Sequence, residues 1–174
     1  MLALFRLFER VNGFRAQRPS DYTDTQPAFE LKQHLNGPMI CEGAIYGPRG
    51  RVTSRFVGHF QIDWDGDAGV MRERFEYDSG EVQHRAWNLT LKPGGQIEAR
   101  ADDVKGVGRG QVRGATAFLR YRLRLPAEAG GYVLSAEDWM YLAPNGTIVN
   151  RSQFRKYGLL VAELVATMRP KEDA

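Results

Sequence analysis

The sequence is poor in cysteine and histidine, and each shortage argues against a class of protein. A single cysteine, Cys41, cannot form an intramolecular disulfide, which excludes a disulfide-stapled fold. It alternates with polar residues on a predicted inner face, where a small buried hydrophobe is the expected role. The three histidines are far apart in the chain, which argues against a histidine metal site. We therefore predict no metal, no cofactor and no catalytic set of residues.

Long apolar runs and clusters of like charge are also missing. No apolar stretch reaches the roughly 18 residues of a membrane-spanning helix. The start of the chain lacks the long apolar segment and cleavage site of a secretory signal. The formal charge is +3, and the arginines are spread over the chain, which favours a solvated surface over a nucleic-acid-binding stripe. We expect a cytoplasmic or membrane-peripheral protein that binds no nucleic acid.

The first 27 residues contain a short amphipathic pattern followed by a polar linker. Apolar side chains fall near helical spacing, with basic residues between them, at Leu4, Phe5, Phe8 and Val11. Such a helix either contacts an anionic membrane surface through residues 1–15 or packs on the rest of the protein, and we favour packing. Residues 28–170 form the single domain, which begins with a short helix over 28–35.

The strongest positive signal is an alternation of apolar and polar residues that runs from Ile40 almost to the C-terminus. Because successive strand residues point to opposite faces, this period predicts sheets with one buried face. Glycine-rich turns divide the pattern into ten approximate strands: 39–46, 51–64, 69–77, 81–91, 96–101, 104–113, 116–125, 131–142, 147–156 and 159–168. Such spacing is typical of an all-β sandwich or an antiparallel meander barrel. The last segment suits a helix nearly as well.

Counting outward from one turn brings two opposite charges to the inner face. A three-residue loop over 78–80 sets Glu73 opposite Arg85 and Met71 opposite Trp87. The apolar members of this face are Met71, Phe75, Tyr77 and Trp87. Glu73 and Arg85 share their parity and are therefore predicted to point inward.

A second turn gives a similar result. A two-residue turn at Asn145-Gly146 sets Met140 opposite Arg151. The apolar inner face is then marked by Tyr132, Leu134, Met140 and Leu142, so Asp138 and Arg151 are predicted to point inward as neighbours. Trp139 and Tyr141 make the opposite face apolar as well.

Four buried charges are unfavourable unless they are paired. One interpretation is two internal salt bridges that set the strand register. The other is the polar part of a ligand cavity, on the order of a few hundred Å³ in volume, in which Arg85 or Arg151 binds a carboxylate. The candidate binding residues are Glu73, Phe75, Tyr77, Arg85, Trp87, Tyr121, Asp138 and Arg151.

Four glycines in the run KGVGRGQVRG occur mostly at every second position, at 106, 108, 110 and 114. They do not match the dinucleotide-binding pattern G-x-G-x-x-G. At this period they remove the side chains from one strand face, which allows close approach of a neighbouring strand or a ligand, and we favour packing.

Several motifs together resemble a bacterial family, domain-of-unknown-function family 3833. The resemblance covers about residues 29–168 and includes FELKQHLNGP, WDGDAGVMRERFEYDSGEVQHRAWNL, ADDVKGVGRG, EDWMYL and IVNRSQFRKYG. It implies a lipocalin-like or calycin-like fold of about 8–10 strands with short N-terminal helices. The matching family positions are Glu73, Phe75, Tyr77, Gly80, Arg85, Trp87, Asp102, Gly106, Asp138, Trp139, Arg151 and Gly158.

The resemblance also bears on function. Many members are similar to lipoproteins, but this chain has no lipid-attachment cysteine before Cys41. Some members are encoded near fatty-acid-modifying enzymes, which implies an acyl ligand. The first hypothesis is therefore a binding protein for a small apolar or fatty-acyl carboxylate ligand. The alternatives are a lipid-modifying enzyme or accessory that uses Glu73 or Asp138, and a purely structural or interaction barrel.

Overall fold

The computed structural model describes residues 12–172 and contains one closed β-barrel. Ten antiparallel strands follow one another around the barrel in chain order, and β1 pairs with β10 to close it. The strands are β1 Gly37–Tyr46, β2 Val52–Asp65, β3 Ala68–Tyr77, β4 Val82–Lys92, β5 Gln96–Arg100, β6 Gly108–Arg113, β7 Thr116–Arg124, β8 Val133–Leu142, β9 Ile148–Lys156 and β10 Leu159–Pro170. The predicted all-β meander barrel is confirmed, and its architecture is lipocalin-like.

The alternation in sequence accounts for the buried interior. Along β2, the buried Phe56, Phe60 and Ile62 alternate with residues that face solvent or lie partly exposed. The predicted strand positions agree closely with the structure, and the ambiguous last segment is a strand. The main difference is β6, which begins at Gly108 because residues 101–107 form a loop with an isolated bridge between Val104 and Leu123.

A short helix, α1 (Leu31–His34), covers one end of the barrel, which we call the capped end. Leu31 and Leu35 are buried there, and the Trp64 indole Nε1 donates a hydrogen bond to the Leu35 carbonyl oxygen at 2.8 Å. At the opposite end, which we call the far end, the β5–β6 loop inserts the buried Val104. Four 3-10 turns complete the described elements, at Phe14–Ala16, Pro19–Tyr22, Pro93–Gly95 and Ala127–Ala129. None of the helices in residues 12–172 is long and apolar enough to cross a membrane.

The segment before α1 packs on the outside of the barrel over β7 and β8. Trp139 points outward yet is only 1% exposed, because Tyr22 packs against it with ring centroids 5.5 Å apart. The hydroxyls of Tyr22 and Tyr141 both donate to the Gln17 Oε1 atom at 2.5 Å. The predicted amphipathic helix falls mostly on residues 1–11, which lie outside the described residues. The favoured packing of this helix and the alternative membrane contact therefore both stay predictions.

Gly110 allows β6 to lie close against β7. A Cβ atom at this position would be 1.9 Å from the backbone oxygen of Phe118, a distance that real contacts do not reach. At Gly108 a Cβ atom would meet the Cβ of Tyr121 at 3.1 Å. The packing interpretation of the alternating glycines is thus confirmed at these two positions.

Candidate functional site

The barrel encloses a cavity of about 150 Å³. Most of its wall is apolar, formed by aliphatic and aromatic side chains that include Leu35 from the capped end and Phe56, Phe60 and Phe75 from β2 and β3. The polar side chains in the wall come from mid-strand positions and are Glu73, Arg85, Tyr121, Asp138, Asn150 and Ser152. The cavity therefore joins an apolar volume to a small polar region.

Strands β3 and β4 pair as the 78–80 loop predicts. Glu73 lies opposite Arg85, Met71 lies opposite Trp87, and all four side chains line the cavity. The predicted salt bridge between Glu73 and Arg85 does not form within the described part of the chain. The two side chains share a wall without forming an ion pair.

Arg85 is instead paired with an acid from the far end of the barrel. Its Nη2 donates a hydrogen bond to Asp103 Oδ1 at 2.9 Å, and its Nε lies 2.7 Å from Asp103 Oδ2 without hydrogen-bond alignment. The guanidinium carbon lies 4.1 Å from the ring centroid of Trp87 and 5.8 Å from that of Tyr121. Arg85 thus has both an ionic partner and an aromatic support.

Glu73 is the most unusual group in the wall. Its side chain is buried, with only 7% of the residue exposed, and its Oε2 atom has no hydrogen-bond partner among the described residues. Burial raises the pKa of Glu73 to about 8, the nearby Arg85 charge opposes this rise, and Asp138 and Asp103 add to it. At neutral pH Glu73 is therefore mainly a neutral carboxylic acid.

Asp138 faces the same cavity from β8. Burial raises its pKa to about 6, while the hydroxyls of Ser152 and Tyr121 favour the charged form. Its Oδ1 atom is buried and lacks a hydrogen-bond partner among the described residues. Asp138 and Glu73 thus differ in charge at neutral pH although both are carboxylic acids in one cavity.

The structure corrects the position predicted for Arg151. Asp138 lies opposite Ser152, and Trp139 lies opposite Arg151, which is one residue away from the predicted register. The turn has three loop residues, 144–146, because the Ala143 amide donates to the Thr147 carbonyl and the Asn145 side chain accepts a hydrogen bond from the Thr147 amide. A slip of one residue moves every side chain of a strand to the other face. Arg151 therefore lies outside, where its Nε is 2.7 Å from Glu163 Oε1, and the predicted Asp138–Arg151 pair is wrong.

The structure brings six of the eight candidate binding residues to the cavity wall. They are Glu73, Phe75, Arg85, Trp87, Tyr121 and Asp138. Tyr77 packs beside the wall against Phe56, with its hydroxyl donating to Gln83 at 2.8 Å. The cavity is smaller than expected and reaches one arginine. The binding role of these residues stays a prediction.

Three polar residues of the site were not predicted. Ser152 and Asn150 replace Arg151 once the 144–146 turn is counted as three residues. Asp103 lies in the β5–β6 loop, where no periodic pattern applies, and the neighbouring acid and glycines of ADDVKGVG are the only signal for it in the sequence.

Cys41 lines the cavity as a buried thiol, and burial raises its pKa to about 12. No cluster of metal-binding side chains occurs within residues 12–172.

Comparison with solved structures supports the fold. The Rv2717c protein of M. tuberculosis matches with a TM-score of 0.60 at 16% identity, covering 86% of this chain and 100% of that one. An S-type phycobiliprotein lyase, CPES, from Guillardia theta matches with a TM-score of 0.57 at 10% identity, covering 82% of this chain and 91% of that one. At these identities the likeness concerns the barrel fold alone.

The sequence comparisons identify the family. No curated protein matches the sequence. The model of a family described as "protein of unknown function (DUF3833)" matches residues 9–170, which is nearly the whole chain. This span includes every strand of the barrel and every residue of the cavity wall. The chain therefore belongs to the DUF3833 family.

Proposed function

We propose that this protein binds a small, mostly apolar molecule inside the barrel. The observation that carries the proposal is the cavity of about 150 Å³ with its apolar wall and a few convergent polar groups. Ligand sites in proteins have this composition, in which apolar contacts supply affinity and a few polar atoms orient the ligand. The barrel fold, shared with proteins such as the phycobiliprotein lyase, is of a kind that encloses small ligands.

The volume limits the size of the ligand. A cavity of about 150 Å³ accommodates a molecule the size of benzene. A complete fatty-acyl chain would need more space than this volume provides. We therefore favour a short alkyl chain or a single ring over the fatty acid expected from the family.

The sequence predicts that an inward arginine binds a carboxylate group of the ligand. Arg85 is the one candidate left, and Asp103 already pairs with it at 2.7–2.9 Å. A ligand carboxylate would either compete with Asp103 for the guanidinium or bind its remaining N–H groups, and in both cases it would add a negative charge near Asp103 and Asp138. This arrangement supports a carboxylate ligand less well than a neutral or basic one.

Native mass spectrometry of protein purified from its own host tests the proposal. We expect a fraction of the folded protein to carry a small organic molecule. Replacing Leu164, which lines the cavity from β10, with Trp fills part of the volume and should abolish the adduct. Circular dichroism and thermal unfolding establish that the variant is folded.

Leu159→Trp is the matched control, because Leu159 lies on the same strand but is 56% exposed. This variant should keep the adduct. The proposal fails if wild-type protein carries no molecule and is not stabilised by any short-chain alcohol, amine or acid added to it.

A second candidate function is acid–base catalysis within the same cavity. Two carboxyl groups with pKa values near 8 and 6 face one apolar space, and groups of this kind serve as general acid and base. If the molecule recovered from the host is altered in mass by wild-type protein but not by Glu73→Gln, catalysis is supported. If both leave it unchanged, binding alone remains.

A further inference from the structure

We propose, on the basis of the binding function above, that the polar group of the ligand is a protonated amine held by Glu73 and Asp138. The inference concerns the chemistry of the ligand, which the fold and the family leave open. Two observations support it, namely the balance of charges around the cavity and two buried oxygen atoms that have no hydrogen-bond partner in the described part of the chain.

The charges around the polar region do not balance. Three carboxyl groups, those of Glu73, Asp103 and Asp138, lie near a single guanidinium, that of Arg85, and Arg85 is the only cationic side chain among the described residues of the wall. Asp103 and Arg85 neutralise each other by direct contact. Asp138 is then charged at neutral pH without an ion-pair partner, and Glu73 ionises more readily when a cation is supplied, so a ligand that carries a positive charge restores the balance and a carboxylate worsens it.

Two buried carboxyl oxygens in the wall also require hydrogen-bond donors. Glu73 Oε2 and Asp138 Oδ1 are both buried and both lack a hydrogen-bond partner among the described residues. An unpaired buried oxygen of this kind costs free energy unless a donor reaches it. An ammonium group offers three donors and no acceptor, so it can satisfy both oxygens, whereas a carboxylate offers none.

The aromatic residues of the wall complete the site. Phe60, Phe75 and Tyr121 line the cavity together with Trp87, whose ring is already covered by Arg85. Aromatic faces attract cations and also contact alkyl chains. The occupant that fits these features is a short alkyl or arylalkyl amine.

The protonation state of Glu73 makes the affinity for the amine depend on pH. Several titratable groups interact electrostatically with Glu73. They belong to several strands and one loop, and they are Cys41, Tyr77, Arg85, Asp103, Tyr121 and Asp138. Because Glu73 is mainly neutral at pH 7, binding of a cation favours its ionisation and releases a proton. Affinity for the amine should therefore rise as pH increases from about 6 to 8.5.

Isothermal titration calorimetry with hexylamine, hexanol and hexanoate tests the inference, because these probes share one chain and differ in the polar group. We expect hexylamine to bind at least about tenfold more tightly than hexanol, and hexanoate to bind most weakly. Titrations in buffers of different ionisation enthalpy should reveal proton release for hexylamine alone. Glu73→Gln should lower the affinity for hexylamine about tenfold and abolish the proton release, while leaving hexanol binding nearly unchanged.

Glu76→Gln is the matched control, because Glu76 lies on the same strand and points outward next to Arg74. It should bind all three probes as the wild type does. Tighter binding of hexanoate or hexanol than of hexylamine would overturn the amine inference and leave the binding function standing. Failure of all three probes to bind, with no adduct from the host, would overturn both.

Discussion

The interior near the capped end and the interior at mid-barrel are both buried, yet they are built in opposite ways. Near the capped end Met39, Ile62 and Ile148 are at most 1% exposed and belong to the apolar core. At mid-barrel Glu73 and Asp138 each have a buried oxygen that finds no hydrogen-bond partner within residues 12–172, beside a cavity. Apolar packing stabilises a fold, whereas unpaired buried carboxyl groups oppose it.

This difference indicates which part of the interior serves folding alone. A barrel of this size can fill itself with side chains, and the region around Met39, Ile62 and Ile148 does so. The mid-barrel wall keeps features that folding does not require. We interpret this contrast as a division between a packed base, around Met39, Ile62 and Ile148, and a binding chamber, around Glu73 and Asp138.

Ile148→Ala should lower the stability most, because Ile148 is fully buried. Its truncation would leave an empty space that the surrounding side chains cannot fill completely. We expect a loss of about 2–5 kcal/mol in the free energy of unfolding, measured by denaturant titration. Leu159→Ala, an aliphatic truncation at an exposed position, should change it by less than about 0.5 kcal/mol. Equal losses in the two variants would contradict the proposed packed base.

Glu73→Gln should instead stabilise the protein at alkaline pH. Burial raises the pKa of Glu73 to about 8 in the folded protein, above its ordinary value of 4.5. The folded state therefore binds more protons between these values, and the stability of the wild type falls as pH rises from 4.5 to 8. Removing the titration should raise the free energy of unfolding above pH 8 by up to a few kcal/mol, since one pKa unit corresponds to about 1.4 kcal/mol.

Unfolding curves recorded across this pH range provide the test. The difference between Glu73→Gln and wild type should grow with pH and vanish near pH 4, where the carboxyl group is protonated in both states. Glu76→Gln, on the outward face of β3, should show no such growth. A wild-type stability that stays constant between pH 5 and 8 would mean that Glu73 ionises normally.

The sequence predicts the mid-barrel wall only in part, and the two hairpins show why. Around the 78–80 loop the turn length is correct, so Glu73 and Arg85 are placed on the right face. Around Asn145 the loop includes Pro144, and the added residue carries Arg151 outside. Asp138 is still placed correctly, because its assignment depends on the apolar residues of its own strand rather than on the turn.

Other features depend on contacts that no local period encodes. Asp103 reaches Arg85 from a loop, so its role follows from the shape of residues 101–107 and not from alternation. Trp139 is an outward residue that Tyr22 covers, and its apolar character resembles that of a core residue in the sequence. The barrel itself was predictable because it depends on a repeated pattern, whereas the polar site depends on single contacts.

Arg85→Met should lower the stability of the protein moderately. The variant loses the hydrogen bond to Asp103 and the contact with Trp87, and we expect a loss of about 1–3 kcal/mol in the free energy of unfolding. Because the Arg85 charge lowers the pKa of Glu73, its removal should raise that pKa further, and the decline of stability with pH should extend above pH 8. A double-mutant cycle with Asp103→Asn isolates the pair.

Arg151→Met should have the smallest effect, since Arg151 lies on the outer surface in an ion pair with Glu163 and its side chain is 45% exposed. Exposed pairs contribute about 0–1 kcal/mol, so we expect a change within that range and unaltered binding of hexylamine. The comparison with Arg85→Met matters more than either value, because both remove one arginine from positions that the sequence treats alike. A loss of stability in Arg151→Met that equals the loss in Arg85→Met would indicate that Arg151 faces the cavity, and the three-residue turn at 144–146 would then be incorrect.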